Sequence, residues 1–155
     1  MRSSTQKHGI GRTEVMFFLI GLILLLLLAV VAKGQQPLYK EYRGVRLGMT
    51  AAEARAKLGE PVMKSDDQDF FVLSENETTQ IAYDGSQKVT AISTDYVGGV
   101  GAPDYRTVLS DGAMLQRPDG SLFRMVHYPA AGMWVSYNKS AGAVPVVTIT
   151  IQVIR

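Results

Sequence analysis

An unbroken apolar run near the N-terminus limits the possible folds of this chain more than any other feature. The run begins at Val15 and ends at Ala32, and none of its side chains is charged or strongly polar. About 18 residues, each rising roughly 1.5 Å, match a hydrocarbon core about 30 Å thick. Lys33, Gly34 and Pro37 follow the run and end it. The sequence therefore predicts a single-pass transmembrane helix.

Basic residues on both sides of this run bear on two questions: whether the helix is cleaved, and how it is oriented in the membrane. Residues 1–14 form a basic tail with Arg2, Lys7 and Arg12, a pattern that also suits a signal peptide. The run exceeds the roughly 7 to 15 residues of a signal core, which favours a retained signal anchor. Basic residues also follow the run, so the positive-inside rule does not decide the orientation. Because short tails before an export-like helix usually stay inside, we expect a periplasmic or otherwise extracytoplasmic C-terminal domain.

Gly9 and Glu14 allow a second interpretation of the N-terminal region. A glycine followed five residues later by glutamate and an apolar helix resembles the cleavage site of type IV prepilins and pseudopilins. Arg12 stands where that family has an apolar residue, and Gly34 and Pro37 end the helix early. A divergent pilin-like or pseudopilin-like structural subunit therefore stays open as an alternative.

The rest of the chain has an ordinary size for one domain. We predict a linker over residues 33–43 and a domain over residues 44–155. The chain has 16 Lys and Arg against 14 Asp and Glu, and the basic excess lies before the apolar run, so the domain is neutral. No basic patch with interleaved aromatic residues is present, which argues against nucleic-acid binding. Without cysteine, neither a disulfide nor a lipidated cysteine is possible.

A short helix with a capping box is predicted at the start of the domain. Thr50 suits the N-cap and Glu53 stands three residues later, so each side chain can satisfy a free backbone amide. Alanines between them favour helix, and Gly59 and Pro61 mark the stop. The predicted helix has about two turns and ends at Leu58 or Gly59.

Alternating apolar runs behind this helix predict strands, and the pattern recurs. Strands are expected within residues 70–73, 79–83, 89–94, 122–128, 133–137 and 144–153. A second helix is expected where Thr107 and Leu115 lie 57 residues after Thr50 and Leu58. We therefore predict an internal duplication with repeats over 44–97 and 102–155. The predicted fold class is α+β: a transmembrane helix, then two helix-plus-three-strand units whose short helices pack on an antiparallel sheet.

The residues of the first helix resemble a known family. The fold motif consists of Gly48, Met49, Thr50, Glu53, Leu58, Gly59 and Pro61. This motif is similar to the signature of SmpA/OmlA small lipoproteins, which include BamE, and the related β-lactamase-inhibitor-protein fold (BLIP-like) duplicates such a unit. The resemblance implies a cell-envelope domain that binds protein and assists outer-membrane assembly. Family members are held by a lipidated cysteine that this chain lacks, so the resemblance favours a binding domain over the assembly role itself.

The sequence has no recognisable catalytic or metal-binding signature. His8 and His127 lie in separate segments, and the acidic residues 65–69 lack the glycine and terminal glutamate of a calcium loop. A solvated acidic loop is expected there. No cysteine nucleophile, nucleophile elbow or His-Glu-x-x-His is present. We predict that the protein is not an enzyme and uses no cofactor, metal or small-molecule substrate.

Aromatic residues on the predicted strands supply the candidates for partner binding. Trp134 and Tyr137 would anchor a partner if they project from a free sheet face. We predict a non-enzymatic membrane-anchored envelope protein, attached through residues 15–32, whose domain binds another envelope protein. Besides the pilin-like subunit, an inhibitor of a secreted hydrolase is an alternative that follows from the inhibitor-like fold.

Overall fold

The computed structural model describes residues 35–154, and the eight strands of this region form one sheet. In chain order the elements are α1 (Ala51–Leu58), β1 (Met63–Lys64), β2 (Gln68–Ser74), β3 (Glu77–Tyr83), β4 (Val89–Val97), α2 (Tyr105–Leu109), β5 (Leu115–Gln116), β6 (Leu122–Tyr128), a 3-10 turn (Pro129–Ala131), β7 (Met133–Lys139) and β8 (Val146–Val153). All neighbouring strands are antiparallel, in the order β1-β2-β3-β4-β8-β7-β6-β5. The order is therefore symmetrical about the central β4–β8 pair.

Helix α1 forms as its local sequence predicts. The Thr50 hydroxyl accepts a hydrogen bond from the Glu53 amide at 3.3 Å, and the Thr50 amide donates to the Glu53 carboxylate at 2.8 Å. The helix ends at Leu58, and Gly59 follows with φ +88°, a backbone angle that side chains disfavour. The predicted capping box and helix end are both confirmed.

The predicted fold class is wrong. Instead of two helix-plus-three-strand units behind a transmembrane helix, residues 35–154 form a mainly β structure with one continuous eight-stranded sheet. The two α-helices span only eight and five residues. Strands β1 and β5 were not predicted, because two-residue strands have no alternating pattern of their own and exist only through pairing with β2 and β6.

The second helix differs most from its prediction. It begins after Asp104, whose carboxylate accepts from the Arg106 amide at 2.9 Å, and it ends at Leu109. Leu115, which was aligned with helical Leu58, lies in β5. The chain cannot continue as helix through Gly112, because its φ is +142°. The spacing of 57 residues therefore fails at the helices.

The same spacing describes the centre of the sheet. Ser93 of β4 stands opposite Thr150 of β8, 57 residues later, and their hydroxyls are 3.0 Å apart. A twofold axis through this pair would map each residue of β4 onto the residue 57 positions later in β8. The duplication itself, with repeats over 44–97 and 102–155, stays a prediction.

The prediction of a membrane protein is not supported by the described residues. No helix between residues 35 and 154 is long and apolar enough to cross a bilayer. The predicted transmembrane segment, residues 15–32, and the pilin-like features at Gly9 and Glu14 lie outside the described residues. Because the described residues contain no helix that could cross a bilayer, we correct the transmembrane and signal-anchor assignments. The single-pass localisation with an extracytoplasmic domain is corrected for the same reason.

Both helices pack on one face of the sheet. Alternate strand residues point to opposite faces, so every second residue of each strand faces the helices. The core lies between sheet and helices, and it contains the side chains of Ala51, Ala54, Val108, Leu109, Phe71, Ile81, Ile92, Val135, Ile149 and Ile151. We call this side the helical face and the other side the open face.

Candidate functional site

The open face is the candidate functional site, because neither of the two described α-helices packs on it. Strand register places the following side chains there: Met63, Phe70, Val72, Thr78, Gln80, Ser93, Asp95, Thr148, Thr150, Gln152, Trp134, Ser136, Asn138, Phe123, Met125, His127 and Leu115. Among these positions Asp95 is the only Asp, Glu, Lys or Arg. A solvent-facing sheet surface usually carries charged side chains at alternate positions, so this one is unusual.

The two ends of the open face repeat the same apolar arrangement. At one end Met63 stands opposite Phe70, and at the other end Leu115 stands opposite Phe123. Met63 is 63% exposed and Leu115 is 64% exposed. Each pair joins a two-residue edge strand to the next strand, so the ends occupy equivalent positions in the symmetrical strand order.

A band of hydroxyl and amide side chains joins the two apolar ends. The Ser93–Thr150 contact lies at its centre. Next to it the Thr148 hydroxyl donates to the Asp95 carboxylate at 2.6 Å, so the one carboxylate of this face is partly satisfied. The Asn138 side-chain oxygen is buried and has no hydrogen-bond partner. The band therefore presents short neutral groups and keeps one acceptor unpaired.

The two aromatic residues predicted for partner binding lie on opposite faces. Trp134 is on the open face, where it stands between His127 and Gln152. Tyr137 is on the helical face, is only 8% exposed, and packs edge-on against Tyr105 with ring centroids 6.2 Å apart. Burial raises the pKa of Tyr137. Residues three apart in a strand cannot share a face, so the sequence already contained the signal that separates them.

The fold motif builds the junction between α1 and the sheet. Gly48 donates its amide to the Val89 carbonyl at 2.8 Å, and the Val89 amide donates to the Met49 carbonyl at 2.8 Å. Gly48 has φ +81°, which explains the glycine at this position. Thr50 and Glu53 then cap the helix. These residues shape α1 and the start of β4.

A buried ion pair that the sequence does not predict lies beneath α1. Asp69 is fully buried, so the expectation of a solvated loop over residues 65–69 is wrong at this residue. Its carboxylate accepts from Arg55 at 2.7 and 3.1 Å and from the Tyr83 hydroxyl at 2.7 Å. Burial and the hydrogen bond to Asp69 raise the pKa of Tyr83. The alternation of Asp69 with Phe71 is the signal that could have placed it on the helical face.

This ion pair lies between helix α1 and the sheet. Within residues 35–154 the Asp69 carboxylate accepts its hydrogen bonds from Arg55 and Tyr83, which hold it between helix and sheet. Across residues 35–154 no group of three His, Cys, Asp or Glu side chains could hold a metal ion. The open face therefore remains the candidate site, and it includes a recess of about 230 Å³ lined by Met63, Lys64, Ser65, Gln68 and Phe70.

Comparison of the chain with protein-family models, curated proteins and solved structures finds no match. The similarity of the Gly48 to Pro61 motif to the SmpA/OmlA family therefore stays a prediction from the sequence.

Proposed function

We propose that this protein is a non-enzymatic binding module that uses the open face to bind another polypeptide chain. The observation that carries the proposal is the charge-poor composition of this face, with exposed apolar side chains at both ends. Protein interface cores are depleted in charged residues and enriched in aromatic residues and methionine. Trp134, Phe123 and Met125 supply these residue types on neighbouring strands.

A protein partner suits the shape of the site. The recess at Met63 and Phe70 is a shallow part of the sheet surface, and small molecules usually bind in enclosed clefts. Exposed apolar side chains such as Met63 and Leu115 gain most from a partner that covers the whole face. Tryptophan is also among the residues that most often dominate binding energy, which makes Trp134 the predicted anchor.

Site-specific photocrosslinking tests this proposal. A photoreactive amino acid replaces Gln80, which is exposed on the open face, and in a matched variant it replaces Ala56, which is exposed on α1. We expect a covalent protein adduct from position 80 that position 56 does not form, when the full chain is expressed in its source cells. The additional change Trp134→Ala should reduce the adduct. Equal labelling from both positions would contradict the proposal.

A further inference from the structure

The open face has the symmetry of a surface that can bind a copy of itself. Its apolar ends, Met63 with Phe70 and Leu115 with Phe123, lie on either side of the Ser93–Thr150 pair. If a second copy is turned over about an axis in the plane of the sheet, each apolar end meets an apolar end. This holds whether the axis runs along the strands or across them. The hydroxyl band then meets the hydroxyl band.

Charge favours the same pairing. In a twofold interface residue i contacts residue j and j contacts i, and side chains near the axis meet their own copies. Charged side chains near the axis would therefore oppose like charges. The open face carries neither Lys nor Arg at its strand positions, and its one carboxylate, Asp95, accepts a hydrogen bond from Thr148. Like charges across an interface cost several kcal/mol. Here that cost is nearly absent.

The area is also close to what a stable dimer needs. Six full-length strands spaced about 4.8 Å apart, with about seven residues rising 3.3 Å each, give roughly 600 to 700 Å² of projected face. Standard protein interfaces bury about 800 Å² on each partner. Two sheets can pack face to face about 10 Å apart, with side chains of both inner faces interdigitating.

We propose that two copies of this chain pair through their open faces and form a two-layered β-sandwich about an in-plane twofold axis near Ser93 and Thr150. This inference depends on the proposed function, since it names the partner of the same face. Trp134 and Met125 become buried at the interface, while both helical faces stay outside.

Charge substitutions near the axis test the pairing. In sedimentation experiments on the full chain, the unsubstituted protein is expected to show a concentration-dependent equilibrium between monomer and dimer. Thr150→Lys places two ammonium groups close together across the axis and should raise the dimer Kd by about a hundredfold. Thr150→Asp should act in the same way, because two carboxylates then meet. Ala56→Lys on α1 is the matched control and should leave the dimer Kd unchanged.

Mixing the two charged variants separates loss of pairing from loss of folding. Thr150→Lys and Thr150→Asp together should form a mixed dimer, which a misfolded variant could not do. The proposal is overturned if the unsubstituted chain stays monomeric, if Thr150 variants dimerise unchanged, or if the mixture fails to pair. A photocrosslink from position 80 to a different protein, combined with a monomeric chain, would leave the proposed binding function standing and remove this inference alone.

Discussion

Asp69 is the residue that joins helix α1 to the sheet. It is fully buried, and Arg55 and Tyr83 donate all of its side-chain hydrogen bonds. Arg55 belongs to α1 and Tyr83 to β3, so one carboxylate holds three elements together. A buried ion pair adds little net stability compared with apolar packing, but removal of one partner leaves the other charge unpaired.

Substitution of Asp69 by asparagine should therefore destabilise the fold by about 3 kcal/mol, because Arg55 loses its counter-charge. Tyr83→Phe removes a single hydrogen bond to the same carboxylate and should cost about 2 kcal/mol. Urea unfolding monitored by circular dichroism measures both free energies. A change below about 0.5 kcal/mol for Asp69→Asn would show that the ion pair is not coupled to folding.

Two tyrosines of the segment before α1, Tyr39 and Tyr42, lead us to expect a loss of stability at alkaline pH. Burial raises the pKa of Tyr39 and Tyr42 from 10.0 to about 12, and Tyr42 donates to the Glu77 carboxylate at 2.7 Å. The phenols ionise at a lower pH in the unfolded chain than in the folded protein. The stability that they add to the folded state is therefore fully present below pH 10 and is lost as the pH rises from about 10 to about 12. The free energy of unfolding, measured by urea titration at each pH, should fall across this window.

Tyr42→Phe is the control for this pH dependence. It removes one of the ionising phenols, so the decline with pH should become shallower, although the variant is less stable at neutral pH. A free energy of unfolding that stays constant up to pH 12 would contradict the raised pKa values.

At the level of elements, the loop after α2 depends on one arginine. The Arg124 guanidinium of β6 donates to the carbonyls of Ser110 at 2.8 Å and Asp111 at 2.9 Å. Ser110 is the C-cap residue of α2, so Arg124 satisfies one carbonyl at the helix end and a second in the loop that follows. A β-carbon at Gly112 would collide with this guanidinium.

Gly112→Ala should consequently destabilise the protein by about 1 to 3 kcal/mol, since either Arg124 or the loop must move. Gly142→Ala is the matched control, because Gly142 also has a positive φ of +104° but nothing lies near its added methyl group. The difference between the two variants in thermal unfolding isolates the contact with Arg124. Equal effects would assign the whole cost to backbone conformation.

The elements also show how far the sequence could predict this fold. The capping signals at Thr50 and Gly59 are local, and they place α1 correctly. The alternation over residues 122–128 identifies β6 for the same reason. The two-residue edge strands depend on pairing across the sheet, which no local pattern shows. The alternation of Asp69 with Phe71 predicts the face on which Asp69 lies, but its pairing with Arg55 depends on how α1 packs on the sheet. For the candidate site, the residue type alone identifies Trp134 as a candidate for partner binding. The open face as a surface can be recognised only from the pairing register of the strands.

At the largest scale, the sheet of residues 35–154 has two faces whose side chains meet different requirements. The helical face forms the core, and its residues are held by packing. The open face lies outside this core, so its residues are free to serve binding. Trp134 and Tyr137 lie on the same strand and represent the two faces.

This difference predicts opposite results for two alanine substitutions. Tyr137→Ala should cost about 3 to 4 kcal/mol of stability, because it leaves a cavity against Tyr105. Trp134→Ala should cost about 1 kcal/mol in a dilute sample and should instead weaken binding. Chemical denaturation measures the first quantity and sedimentation or crosslinking yield the second. A reversed order of the two stability losses would show that the faces are wrongly assigned.

The symmetrical strand order also bears on how the chain acquires its structure. Strands β1 to β4 join successively to their neighbours, and so do β5 to β8, so each half needs only short loops to form its pairs. The β4–β8 ladder joins residues about 57 positions apart, as in Ser93 and Thr150. Closing that long loop costs the most chain entropy. The central ladder is therefore expected to form last, and the rate at which it closes should limit folding.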